Sequence, residues 1–139
     1  MAGHVAGHVA GHAASEPAIE RKQVVFSQYP RPADGPRGPS AGNTDLPSLV
    51  NITVMGYSLR TDDDIRYTEW VRFCGNYTAD GRIQTSGPQW NELRARELYA
   101  LRSDPLELHN RAQDAAFAPL VASLSKRLHA GWQAAIPAA

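Results

Sequence analysis

The chain has a single cysteine, Cys74, so it can form no internal disulfide and no cysteine-based zinc site. It has no excess of either charge. Fourteen Lys and Arg balance fourteen Asp and Glu, which removes the electrostatic case for nucleic acid or an anionic membrane as partner. No apolar run approaches the roughly 18 residues of a transmembrane helix, so no membrane span is expected. No basic segment followed by an apolar stretch opens the sequence, so no secretory signal is expected and the localisation stays open. What is plentiful is proline and glycine, ten and eleven in 139 residues, clustered where long irregular connections belong. An apolar share of 42% suits one ordinary domain with a modest core.

The first fifteen residues repeat a tetrapeptide, with His4, His8 and His12 four apart. Such spacing can line a helical face and hold Zn²⁺ or Ni²⁺, but a glycine beside every histidine opposes the helix. Residues 1–21 therefore read as a disordered low-complexity tail, with 22–135 the folded unit and 136–139 a second tail. Val24–Gln28 is a short β-branched and aromatic run, a buried strand that Tyr29 and Pro30 should stop, with loop to Pro47. The clearest pattern is the period-two alternation of Asn51–Arg60 and Ile65–Phe73 across a polar link, Asp62-Asp63-Asp64. It predicts an antiparallel hairpin with Met55, Tyr57 and Leu59 on one face and Ile52 and Val54 on the other. In the second strand Ile65, Tyr67, Val71 and Phe73 share a face, opposite Arg66, Thr68, Trp70 and Arg72. Cys74, at the end of that strand, reads as a small half-buried hydrophobe.

Residues 75–91 read as an exposed excursion, Glu97–Leu101 as a short strand, and Ser103-Asp104-Pro105 as a turn. Phe117, Leu120, Val121, Leu124, Leu128 and Trp132 follow three-and-four spacing and predict one amphipathic helix with Pro119 at its start. The fold class is therefore α+β, a small antiparallel sheet of three to four strands packed against one C-terminal helix. Asn51-Ile52-Thr53 and Asn76-Tyr77-Thr78 match the N-glycosylation sequon, a pattern that arises often by chance.

Three segments together carry a resemblance. Phe26-Ser27-Gln28-Tyr29-Pro30-Arg31-Pro32 resembles the FSQYPRP segment of iduronate-2-sulfatase-type enzymes. Met55-Gly56-Tyr57-Ser58-Leu59-Arg60-Thr61 and Arg66-Tyr67-Thr68-Glu69-Trp70 resemble their MGYS-x-RT…RYT-x-W hairpin. Glu97-Leu98-Tyr99, Asp104-Pro105, Glu107 and Asn110 are similar to the ELY-x4-DP-x-E-x2-N pattern that closes many sulfatases. The turn at residues 62–64 is one residue longer than the usual version, and Ile65 stands where an aromatic is common.

The resemblance implies a C-terminal subdomain that packs on a sulfatase catalytic domain and borders a pocket for a sulfated sugar. It also implies Ca²⁺ and a formylglycine in the full-length enzyme, and relatives that are exported or lysosomal. The formylglycine arises in a C/S-x-P-x-R motif, and Cys74 has Asn76 and Thr78 at the two required positions. The metal-binding paired aspartates are also expected to lie elsewhere, and Asp62-Asp63-Asp64 reads as a solvated tip. No catalytic residue and no metal ligand is expected in this chain. By carry-over, Tyr57, Arg60 and Arg66 are the substrate-proximal candidates, since guanidinium pairs bidentately with sulfate or carboxylate and a rim tyrosine packs on a sugar. Against this, strand-end arginines also tether carboxylates such as Glu97, and Tyr57 also suits a core. His109 reads as a local hydrogen-bonding group. The alternative function is a non-catalytic module that holds an anionic carbohydrate through Arg31, Arg60 and Arg66.

Overall fold

The computed structural model describes residues 22–32 and 49–136. The Gly-His repeat lies outside them, as do residues 33–48 and 137–139. The described residues form six strands and one α-helix: β1 Val24–Pro32, β2 Ile52–Thr61, β3 Ile65–Arg72, β4 Gly75–Tyr77, β5 Ile83–Thr85, β6 Gln89–Ala100 and α1 Ala118–Ala130. Strands β1-β2-β3-β6 make one antiparallel sheet in that order, and β4-β5 make a separate two-stranded one. This is the expected α+β class.

The predicted hairpin is the centre of the sheet. Its loop is Asp62-Asp63-Asp64, in which Asp64 takes a left-handed φ of 62° and its N–H donates to the Thr61 carbonyl. A three-residue loop with a left-handed third position is a common hairpin closure, and Asp tolerates that conformation. The resulting register sets Tyr57 opposite Glu69, Leu59 opposite Tyr67, and Arg60 opposite Arg66. Odd-numbered residues of β2 face α1, where Leu59, Tyr67 and Leu98 meet Val121, Leu124 and Leu128 in the main core. A smaller cluster of Ile52, Met55 and Phe73 closes the other end.

Several expectations change. β1 runs on through Pro30 to Pro32 instead of stopping, because among the described residues it is an edge strand paired only with β2, where a missing N–H costs no ladder bond. Ile52 joins Met55 and Phe73 rather than the opposite face, because the β1–β2 register shifts at Arg31/Pro32 and breaks the alternation. The excursion at 75–91 contains the β4–β5 pair, and the strand expected at 97–101 is a twelve-residue strand from Gln89. Its first half is polar, and it pairs with β3 through register shifts at Trp70/Val71/Arg72. Cys74 is exposed, not half-buried. The helix starts at Ala118 with Pro119 in its first turn and ends at Gly131, whose φ of 80° reverses the chain. Trp132 therefore falls in a short 3-10 turn beyond the helix and is 60% exposed, not part of the stripe.

The segment after β6 shows why the DP-x-E-x2-N pattern has its residues. Asp104 accepts the N–H groups of Leu108 (2.9 Å) and His109 (2.8 Å), and these bonds hold its carboxyl below the usual range. Asn110 accepts from the N–H groups of Leu98 and Ala112, both at 3.0 Å, and donates to the Arg96 carbonyl at 2.9 Å. It thereby serves as a strand substitute along the open edge of β6. His109 stays within this local turn, 3.8 Å from Asp104.

On the sheet face away from α1, the Trp70 indole lies flat over Gly56. A Cβ on Gly56 would sit 2.6 Å from that ring. We predict that Gly56→Val lowers stability by about 1–3 kcal/mol through overpacking, read as a lowered denaturation midpoint, and an unchanged midpoint contradicts the packing described.

Candidate functional site

The period of two divides the candidate residues between the sheet's faces. Arg60 and Arg66 are register partners on the face away from α1. Tyr57 lies on the face towards α1, half-buried, with its ring 5.1 Å from that of Trp90; burial pushes its hydroxyl pKa up. The three candidates therefore do not converge on one point. Two share a surface and the third lines a groove behind it, with Phe26, Met55, Phe73 and Trp90.

Two arginines directly opposite would repel, but Arg60 pairs with Asp64, and Arg66 with Glu107 and Glu97. Arg60 is 54% exposed and donates to Asp64 at 2.7 Å; that guanidinium holds the Asp64 carboxyl below the usual range, with Arg102 3.5 Å from its other oxygen. Asp64, the one member of the acidic turn with a left-handed φ, is thus engaged by cations. Arg66 is more deeply committed. It pairs with Glu107 and lies 3.9 Å from Glu97, and its guanidinium sits 5.2 Å over the Tyr99 ring. Glu107 reaches it from a backbone with φ 56°. Arg66 therefore tethers the loop after β6 to the sheet, which leaves Arg60 as the more available cation.

Around them the face is continuous. Ser58 and Thr68 are hydrogen-bonded across the hairpin, and Trp70 donates to Glu97 at 2.9 Å. Arg31 lies over both Trp70 (5.1 Å) and Tyr29 (5.5 Å), and no described carboxylate pairs with it. Tyr29 and Arg31, Gly56, Ser58 and Arg60, Arg66, Thr68 and Trp70, and Glu97 and Tyr99 all point this way by register. Every one belongs to a segment quoted above for the sulfatase resemblance. Half of each motif, taken at alternate positions, builds one polar, aromatic and cationic surface.

The other face holds a group that sequence reasoning missed. Glu69 is 1% exposed, although it occupies the open position of RYT-x-W. Its Oε1 accepts from the Tyr67 hydroxyl at 2.6 Å and lies 3.5 Å from Arg96 Nε, and its Oε2 lies 2.8 Å from His129 Nε2. Strict alternation from Tyr67 places Glu69 inward, and that is the signal the sequence offers for it. Ser125 lies 3.5 Å from His129, yet on the same nitrogen, Nε2, as Glu69. A Ser-His-acid relay needs the two ring nitrogens separately, so this trio is not a nucleophilic triad.

Cys74 is exposed at the end of the hairpin with Asn76 and Thr78 after it, and among the described residues no three metal-ligating side chains cluster. Among the described residues, Cys74 thus does not fit a formylglycine precursor and no side chains fit a sulfatase metal centre.

Comparison with known proteins finds relatives at the level of sequence. The sequence matches mark a sulfatase-related region. More particularly, the kinship is with the iduronate 2-sulfatases: the chain is 43% identical to that of Mus musculus over 105 residues and 42% identical to that of Homo sapiens over 98. These matches cover 75% and 70% of this chain but 16% of each relative, so the chain matches about a sixth of their length. No protein-family model matches the chain, and no solved structure matches it significantly.

For Glu69, burial pushes the pKa up, and the hydrogen bonds from Tyr67, His129 and Ser125 outweigh it, leaving the group below its ordinary value of 4.5. A lowered folded-state value means stability that is present above the unfolded pKa and lost as pH falls through the folded one. Denaturant titrations should therefore show wild type losing stability below pH about 4.5 more steeply than Glu69→Gln; parallel curves contradict the assignment.

Proposed function

We propose that this chain is the C-terminal portion of an iduronate-2-sulfatase-like sulfuric ester hydrolase. Its motif face packs on the catalytic domain and borders the substrate pocket. One observation carries this reading. The three quoted segments are separate in sequence, yet their alternate residues assemble on the one sheet face that α1 does not cover. A surface with Trp70, Tyr29, Arg31 and Tyr99 at its centre has the aromatic and arginine content of an interface core.

On this reading Arg60 is the link to substrate. It sits near the hairpin tip, half exposed, and among the described carboxylates it pairs only with Asp64. Exchange of such a pair for a sulfate or uronate oxygen costs little, because exposed ion pairs contribute only about 0–1 kcal/mol. Arg66 holds the same face together from beneath. Tyr57, on the far side of the sheet, acts as a wall of the groove and reaches substrate only if the pocket wraps the hairpin edge. The formylglycine nucleophile, the Ca²⁺ and the paired aspartates belong to the catalytic domain, and the sulfated sugar is bound between the two parts.

A stand-alone binding module for anionic carbohydrate is the second reading, and the exposed Arg31 and Arg60 favour it. Two measurements separate them. Incubated with an aryl or iduronate sulfate and Ca²⁺, the 139-residue chain should give no turnover, and calorimetry with sulfated glycosaminoglycan fragments should give no useful affinity. Hydrolysis by this chain alone overturns the supporting role, and binding that Arg60→Ala abolishes establishes the module instead.

A further inference from the structure

Helix α1 has 13 residues and buries only Val121, Leu124 and Leu128. A helix this short is marginal by itself and exists because it docks. Apolar contact is non-directional, so three side chains set no unique rotation or axial position for the helix. Among the described residues, the closest side-chain hydrogen bond between α1 and the sheet is His129 Nε2 donating to Glu69 Oε2 at 2.8 Å, with Ser125 of the same helix also contributing to that carboxylate. It lies in the last turn of the helix, next to Gly131, where the chain turns into the 3-10 segment Trp132–Ala135.

The same imidazole is covered by Trp90 from the start of β6, with ring centroids 4.2 Å apart and planes 23° from parallel, and Trp90 in turn meets Tyr57. Leu128, His129, Trp132 and Ile136 form one wall of the groove that Tyr57 and Trp90 floor. The contact is therefore at once the polar catch of the helix and the corner of the groove.

We propose that residues 118–136 form a strap that closes over the inner face of the sheet, and that the Glu69–His129 contact is its latch. The backbone ladder and turn of the hairpin do not involve the strap, although Leu59 and Tyr67 pack on it. The strap depends on one buried acceptor and a short apolar stripe. Loss of the latch therefore releases the strap as a unit, opening the groove beside Tyr57 while the hairpin stays paired. Glu69 keeps Tyr67 and Arg96 as partners in the open state, so the carboxylate is not left bare.

Native-state hydrogen exchange on the full chain tests this. His129→Ala should speed exchange at the amides of Leu124 and Leu128 by about 10–100-fold, the loss of one hydrogen bond to a charged group. Amides of Leu59 and Tyr67 should change by no more than about twofold, since local opening leaves the other cooperative units protected. Glu69→Gln, which keeps shape and removes charge, should give the same pattern more weakly and serves if His129→Ala does not fold. An equal rise in strap and hairpin, or an unchanged strap, overturns the proposal.

Discussion

Tyr57 stands opposite Glu69 and Arg60 opposite Arg66 because a three-residue loop with Asp64 in the left-handed region fixes how β2 meets β3. A slip of one residue would turn every side chain of the hairpin to the other face. Leu59 and Tyr67 would leave the core, Trp70 would lose the bare backbone of Gly56, and Glu69 would lose His129. Both faces of the sheet thus rest on this one register. Its outer side carries the motif surface, and its inner side carries the helix.

Glu97 and Glu107 extend the same logic beyond the hairpin. They receive Trp70 and Arg66 and so bind β6 and the following turn to the outer face. Asn110 completes the work at the edge by standing in for a strand. The residues that resemble a sulfatase pattern are, in this region, largely a framework. Of the candidates, Arg60 is the one whose bonds leave it free to exchange partners, and its proposed role at a pocket rim depends on that freedom.

The hairpin was legible because alternation over two long runs and a polar link leave little else to form, and the helix because its stripe has three-and-four spacing. The motifs were legible as a resemblance, but that their alternate positions converge on one face emerges only once the register is known. Three features were hidden for physical reasons. Gln89–Arg96 is too polar to read as a strand, and it forms one through ladder bonds to β3 and the Arg72–Glu92 pair. Pro30 and Pro32 looked like strand breakers and are tolerated at an edge. Glu69 and His129 are 60 residues apart, so alternation can turn the carboxylate inward but cannot name the partner that satisfies it there.

On the proposed function, the motif face is the one that meets a catalytic domain. Hydroxyl-radical footprinting tests it most directly: this chain is mixed with an iduronate 2-sulfatase catalytic region from which the matching C-terminal segment has been removed. Docking by the motif face predicts protection of Tyr29, Trp70 and Tyr99 with Trp132 unchanged. Protection of Trp132 and Tyr57, with Trp70 as reactive as in the isolated chain, would contradict it.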